Sequence, residues 1–289
     1  ARVELSLRDA QRVLVDSVRT FVEQELYPYE DEVGASDEVR PGLAYQIRER
    51  AIAQGFYAAN MPEDLGGGGL DSVSLSLVER ELGRANFALQ YLVGRPSNIL
   101  QACVGEQRER YLLPCIRGEK TDCLAMTEPG AGSDLRSMQC RAKRDGDSYI
   151  INGTKHFISH ADLADFVILF AATGEEESSR GPRKLISAFL VDKGTPGFTV
   201  RPGYHSVSHR GYHNCILEFE DCRISAEQML GAEHQGFSVA NDWLGTTRLQ
   251  VAALCLGRCY RALAQAIDGA AELQPVGQYI VLDLSPIHL

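Results

Sequence analysis

The sequence predicts an α+β protein of several domains: an N-terminal helical domain, a middle antiparallel β-barrel or sandwich, and a C-terminal helical part. Three observations carry that expectation. Apolar residues recur every three or four positions through the first 120 residues, the period of a helix face. From about residue 122 the pattern changes to short apolar runs separated by turn residues, with no helical stretch between them. Helical spacing returns at 225. The expected domains are 1–121, 122–225 and 226–289, in a chain of 289 residues that exceeds one typical domain of about 150.

Leu7, Val13, Leu14, Val18, Phe21, Val22 and Leu26 form one stripe over 7–30, and Leu43, Ile47, Ala51 and Ile52 form a second over 41–54, ending near Gly55. Residues 58–70 contain four successive glycines, Gly66 to Gly69, which cannot sustain regular structure. Two readings stay open there: a flexible loop, or one that must approach a ligand or subunit. Asp71 and Ser72 can cap a helix over 71–86, and 97–117 reads as another with a break at Pro114. Strands follow at 122–126 and 139–142, then a hairpin turn at Asp145-Gly146-Asp147, a strand from Ser148, and a second turn at Asn152-Gly153. Apolar runs at 166–172 and 185–191 flank a polar loop at 174–184, and 198–200 and 215–219 supply two more strands. Ser225 caps a short turn, a helix opens at 236–240, and a long apolar-rich one covers 243–268.

Net charge is −10, from 39 acidic against 29 basic residues, which disfavours nucleic acid and anionic membrane surfaces as partners. No apolar run approaches the roughly 18 residues of a membrane span, and the charged first residues do not suit a signal peptide. A soluble, intracellular protein is expected. Eight cysteines lie without a Cys-x-x-Cys pair and read as reduced, mostly buried thiols, Cys255 and Cys259 among them as small core residues. His205, His209 and His213 recur every four residues, but Gly203, Gly211 and the strand that follows separate their rings, so no metal site is expected. No Gly-x-Ser-x-Gly elbow supports a serine triad, and neither a Gly-x-Gly-x-x-Gly after a strand nor a P-loop is present.

Two stretches carry chemistry. Leu124 to Asp134 runs from a strand into Pro129, Gly130, Gly132, Ser133 and Asp134, a turn whose backbone N–H groups can approach an anion such as a pyrophosphate. Phe157 and Ser159 stand two apart in a strand, which puts a ring and a hydroxyl on one face and suits a flat heterocycle. Arg248, after Thr246 and Thr247, is the cation best placed for a bound anion or thioester; pairing with a surface carboxylate is the alternative.

These residues resemble the acyl-CoA dehydrogenases. The resemblance rests on Met126-Thr127-Glu128-Pro129-Gly130-Ala131-Gly132-Ser133-Asp134, on Asn152-Gly153-Thr154-Lys155-His156-Phe157-Ile158-Ser159, and on Phe219-Glu220-Asp221-Cys222-Arg223-Ile224. Met61-Pro62-Glu63-Asp64-Leu65-Gly66-Gly67 and the Thr247-Arg248 helix agree, and the likeness runs in order to about residue 268. It implies a C-terminal helical-bundle domain, incomplete here, and FAD between the middle and last domains, held by Leu124, Met126, Thr127, Gly132, Ser133, Phe157, Ile158 and Ser159. Phe157 stands where many members have Trp, and Ser159 where many have Thr. Ser133 and Arg248 would also face the substrate.

The implied reaction is α,β-dehydrogenation of an acyl-CoA thioester in fatty acid metabolism, with hydride transfer to FAD and an electron-transfer flavoprotein or similar acceptor as partner. A homodimer or homotetramer is implied, in a bacterial cytoplasm or a mitochondrial matrix. The rivals are an acyl-CoA oxidase of the same fold and a catalytically silent flavin- or acyl-CoA-binding homologue. The family's catalytic glutamate usually lies in a last part of the C-terminal domain that a sequence ending at Leu289 does not accommodate. Some relatives place it immediately before the arginine, where Thr247 stands here, so the catalytic residue is unassigned. Gln274-Pro275-Val276-Gly277-Gln278 resembles the family's Gly-x-Pro-Ile stretch, without the Arg-x-x-Phe-Gly run that normally precedes it.

Overall fold

Periodicity is converted into helices first. The computed structural model describes residues 7–178 and 181–272; the stretch at 274–278 lies outside them. Helix α1 (Asp9–Phe21) continues through a π turn at Val22–Leu26 and a 3-10 turn at Tyr27–Tyr29 into α2 (Glu30–Ser36). Pro28, which has no N–H to donate, sits in the 3-10 turn, where the regular ladder is interrupted. Val18, Phe21, Val22, Leu26 and Val33 pack with α3 (Pro41–Ala53), α4 (Ser72–Leu82) and α5 (Phe87–Tyr91) in one core, whereas Val13 of the expected stripe is exposed. Asp71 caps α4 by accepting from the Ser74 N–H, as its residue type predicts.

One expectation for this half is corrected, and one open choice is narrowed. Residues 97–117 are not one helix but a 3-10 turn at Asn98–Ala102, a π turn at Arg108–Leu112 and the short α6 (Leu113–Ile116). Gly105, at φ +53°, separates the first from the rest, and Pro114 stands in the first turn of α6, where a missing N–H costs least. The glycine run is a compact fold-back rather than a flexible loop. Gly67 donates to the Pro62 carbonyl, Gly68 to Ala58, Gly69 to Met61 and Leu70 to Ala59. A Cβ on Gly67 would lie 2.3 Å from the Met61 oxygen, so the close approach that glycine permits is to the chain itself.

The middle of the chain is one eight-stranded sheet: β1 (Asp122–Ala125), β2 (Arg141–Asp145), β3 (Ser148–Ser159), β4 (Phe166–Ser178), β5 (Gly181–Asp192), β6 (Phe198–Tyr204), β7 (Asn214–Ser225) and β8 (Met229–Leu230). The order is β6-β7-β3-β2-β4-β5-β8, with β1 beside β4; the β1/β4 and β2/β4 pairings are parallel and the others antiparallel. Asp145 and Ser148 close the β2/β3 hairpin, with Gly146 at φ +60° as its Asp-Gly signal requires. Asn152-Gly153 is not a turn: β3 runs on through it as a bulge against β7, and a Cβ on Gly153 would meet Cys140 Cα at 2.6 Å. Residues 174–184 do not form a loop throughout, because β4 and β5 extend as a paired ribbon to Ser178 and Gly181.

Phe166 to Ala172 and Ile186 to Val191 are buried throughout and form the centre of the larger core. After the 3-10 turn capped by Ser225, α7 (Gly236–Glu272) runs as one helix through both expected helical stretches. It crosses α4 at glycines: a Cβ on Gly257 would lie 1.9 Å from the Arg80 oxygen, and one on Gly83 2.3 Å from that of Leu254. Leu249, Val251, Leu256, Tyr260, Leu263 and Ile267 remain exposed on it, and so do Cys255 and Cys259. The expectation of buried thiols at those two positions is therefore corrected, since apolar neighbours in sequence do not supply a facing element. The other six cysteines are buried. No helix among the described residues is long and apolar enough to cross a membrane.

Candidate functional site

Strand β1 alternates, with Cys123 and Ala125 buried and Asp122 and Leu124 half-buried on the opposite face. Beyond it the Met126 side chain enters the core, leaving its carbonyl to accept from Lys155 Nζ at 3.0 Å, while the Thr127 carbonyl accepts from the His156 N–H at 3.0 Å. Glu128 and Ala131 exchange backbone hydrogen bonds of 3.0 and 3.2 Å, which makes Pro129-Gly130 the tip of a tight turn.

Beneath the turn lies a buried ion pair. Lys155, fully buried, donates to Glu128 Oε1 at 2.7 Å, and Glu128 also accepts from the N–H groups of Gln139 (2.6 Å) and Cys140 (3.0 Å). Four contacts thus satisfy two charges away from water, the condition on which a buried pair is tolerated. Gly132 and Ser133 stand exposed on the outer side. Neither Glu128 nor Lys155 was singled out for this role by sequence reasoning. Both lie inside the two motifs, where a charged side chain reads as facing a ligand; the available signal was Lys155 in a strand position that alternates with Thr154 and His156.

On β3 the pairing with β7 slips between Lys155 and Ile158, and Phe157 takes φ +54°, the left-handed region that a bulky residue adopts only where its surroundings impose it. The outcome is a presented ring. Phe157 is 51% exposed and stacks on Tyr204 at 4.2 Å, Ser159 donates its hydroxyl to Asn214 Oδ1 at 3.1 Å, and the Ile158 side chain is buried. The face shared by Phe157 and Ser159 survives the bulge.

Leu124, Phe157 and Ser159 line a cleft of about 460 Å³. Its helix wall is Trp243, Thr246, Thr247 and Gln250, one stripe of α7 at spacings of three, one and three. Tyr91, Arg95, Ser97 and Tyr212 close another side, and Asp122 is the one carboxylate of the lining. Burial pushes the Asp122 carboxyl up to about 6 against the opposing pull of the Ser97 N–H, 3.3 Å away. Arg95 lies 3.5 Å from the buried Glu79, whose carboxyl burial raises while Arg95 opposes the rise. Arg248 is exposed on α7, off the lining stripe and without an ion pair among the described residues; Met126, Thr127, Gly132, Ser133 and Ile158 are likewise not part of the lining.

Two histidine groups complete the surroundings. His160 is buried, stacked on Tyr91 at 4.0 Å with neither ring nitrogen hydrogen-bonded, and burial lowers its pKa to about 4. Of the three periodic histidines, His209 packs edge-on against Phe87, while His205 and His213 meet at Asp37. His213 uses both nitrogens, one toward Asp162 Oδ2 and one toward the Asp37 carbonyl, each at 3.0 Å. Burial disfavours its charge, yet these hydrogen bonds and the two carboxylates outweigh that and raise its pKa. Asp37, His205 and His213 bring ligand atoms within 4.8 Å of one another, and the hydrogen bonds of His213 join the helical part to the sheet.

Comparison with known proteins agrees along the chain. The family model described as acyl-CoA dehydrogenase, N-terminal domain, matches residues 8–119, and that described as acyl-CoA dehydrogenase, middle domain, matches 123–222. Cyclohex-1-ene-1-carbonyl-CoA dehydrogenase of Geobacter metallireducens is 36% identical over 98% of this chain and 73% of its own length. Human mitochondrial short-chain specific acyl-CoA dehydrogenase is 32% identical over 94% of this chain and 66% of its own. The structure of butyryl-CoA dehydrogenase from Megasphaera elsdenii superposes with a TM-score of 0.83 at 30% identity, covering 96% of this chain and 73% of that one. The chain thus spans about two thirds of the length of such relatives.

Proposed function

The chain belongs to the acyl-CoA dehydrogenase family, and from that premise we propose that the protein is an FAD-dependent oxidoreductase that introduces an α,β double bond into an acyl-CoA thioester. The observation that carries this is the Phe157 ring, held outward at φ +54° beside the Ser159 hydroxyl on the wall of the cleft. A left-handed backbone at an aromatic costs about 1 kcal/mol or more and is retained where the ring has a use. An exposed flat ring next to a hydroxyl fits an isoalloxazine, which presents an apolar face and a polar edge.

In this proposal Leu124, Met126, Thr127, Gly132, Ser133, Phe157, Ile158 and Ser159 hold FAD, the buried Met126 and Ile158 through their backbones, and Ser133 and Arg248 face the thioester. When bound, FAD supplies the hydride acceptor. The chain's own residues bind and orient: Lys155 and Glu128 stiffen the turn that carries Gly132 and Ser133, and Asn214 aims the Ser159 hydroxyl. Thr246 and Thr247 add hydroxyls from the helix wall. No proton acceptor is assigned. The proposal retains the division at 121/122 and 225/226, an acceptor of the electron-transfer flavoprotein kind, a homodimeric or homotetrameric assembly, and a cytoplasmic or mitochondrial-matrix location.

An anaerobic titration tests it. The flavin absorbance of the FAD-loaded protein is followed while short-, medium- and branched-chain acyl-CoAs are added. Bleaching without oxygen supports dehydrogenation, rapid oxygen consumption on re-aeration favours the oxidase, and a bound flavin that no thioester bleaches leaves only a binding homologue.

A further inference from the structure

By spacing alone His205, His209 and His213 need not share a face, yet the fold returns two of the three to one point and adds a carboxylate from 168 positions away. Asp37, just beyond the end of α2, takes φ +60°. Its Oδ1 accepts from the Gly211 N–H at 2.7 Å, which fixes the carboxylate and leaves Oδ2 to His205 Nδ1 at 2.8 Å. His213 is fixed from behind, with Nδ1 against Asp162 Oδ2 and Nε2 toward the Asp37 carbonyl, each at 3.0 Å. A carboxylate on one ring nitrogen is the arrangement that orients an imidazole for a metal at the other. The His205 and His213 rings stand 5.5 Å apart, and the three residues offer one ligand atom each within 4.8 Å of one another. Ligands of a tetrahedral zinc ion, with bonds near ~2.1 Å, lie about 3.4 Å apart, so the set has to contract by about 1.4 Å at most. His205 is the member free to move: its side chain is 69% exposed, against 14% for Asp37. Arg210 stands 3.5 Å from Asp37 Oδ2 and weakens the pull on a second cation, but the Gly34 and Ala35 carbonyls hold its guanidinium at 3.1 and 3.4 Å. Lys193 donates to the Asp162 carbonyl and Arg201 to Glu218. Both imidazoles also line a cavity of about 470 Å³, which leaves room for a water as a fourth ligand.

We propose that Asp37, His205 and His213 form a site for a divalent transition metal of the Zn²⁺ kind, which ties the end of α2 to the segment between β6 and β7. Two imidazoles and one carboxylate suit Zn²⁺, whereas Mg²⁺ and Ca²⁺ take oxygen ligands. Binding exchanges the contact of His213 Nε2 with the Asp37 carbonyl for a bond to the metal, and the Asp162 contact at Nδ1 stays. The inference does not rest on the thioester reading.

Zn²⁺ is titrated into the chelator-stripped full chain in competition with a chromophoric chelator, and thermal melts are run with and without the metal. Cys255 and Cys259, exposed four residues apart on α7, are a rival pair of ligands, so the titration is made with both changed to serine. The expected result is one Zn²⁺ per chain at micromolar affinity, with a midpoint of melting raised by a few degrees at saturation and no such rise with Mg²⁺. His205→Gln, at an exposed side chain, and His213→Gln are each expected to weaken binding at least about tenfold and to remove the rise. His209→Gln is expected to leave both unchanged, because that ring packs on Phe87 outside the set. Absence of stoichiometric Zn²⁺ binding, binding that survives H205Q and H213Q, or an equal loss in H209Q overturns the inference.

Discussion

The two walls of the cleft are anchored by different devices. The sheet wall rests on an internal ion pair: Lys155 and Glu128 hold the turn at 126–134 against β3, Lys155 donating to Glu128 and to the Met126 carbonyl while Glu128 also accepts from the Gln139 and Cys140 N–H groups. The helix wall rests on a backbone crossing, where Gly83 and Gly257 let α4 and α7 touch, while much of the rest of α7 presents apolar side chains outward. The first device is local and specific, and breaking it leaves a charge stranded. The second is distributed and steric, and breaking it moves a whole helix. Rigidity in this cleft is therefore expected to reside in the sheet, and adjustability in α7.

The largest effect should come from the sheet. Lys155→Met leaves Glu128 buried and uncompensated and is expected to cost about 3–5 kcal/mol in urea unfolding, with Glu128→Leu in the same chain recovering part of it. Recovery separates stranded charge from lost packing. On the helix side, Gly257→Ala pushes a methyl against the Arg80 backbone and should cost about 1–3 kcal/mol, with a shift in Trp243 emission because that residue travels with α7.

Asp122→Asn should change stability with pH, by about 3 kcal/mol at most. The folded carboxyl titrates near 6 instead of 3.8, so the unaltered protein loses stability as pH rises through that window, because the native state holds the proton longer than the unfolded one. The variant should match it at pH 3.5 and be the more stable at pH 7.5 in paired thermal melts. The smallest effect belongs to the outward face of α7. Leu263→Lys should move stability by less than about 0.5 kcal/mol, and a larger loss would mean that this face is covered after all.

The order of helices, sheet and helices was legible because periods of 3.6 and 2 are local properties, as were the Asp71 and Ser225 caps and the Asp-Gly hairpin. Asn152-Gly153 misled for an instructive reason. The dipeptide is a turn signal by local chemistry, but here the glycine serves a close approach to Cys140 that only the folded sheet creates. Cys255 and Cys259 misled in the same way, since burial depends on what faces a helix and not on its neighbours in sequence. At the cleft, the pairing of Phe157 with Ser159 follows from strand alternation. The positive φ that turns the ring outward, the buried partner of Lys155 and the raised pKa of Asp122 are tertiary facts without a local signature.

The central claim, that the wall formed by Leu124, Phe157 and Ser159 is a flavin platform, is tested most directly by the affinity for FAD itself. Equilibrium dialysis with the unaltered protein and with Phe157→Gly compares a platform with its ring against one without it, and glycine accommodates the left-handed backbone at that position. The account predicts one FAD per chain and an affinity at least about tenfold weaker in the variant, whose thermal stability stays equal or higher. Equal FAD affinity in the two proteins, or no binding to either, would contradict it.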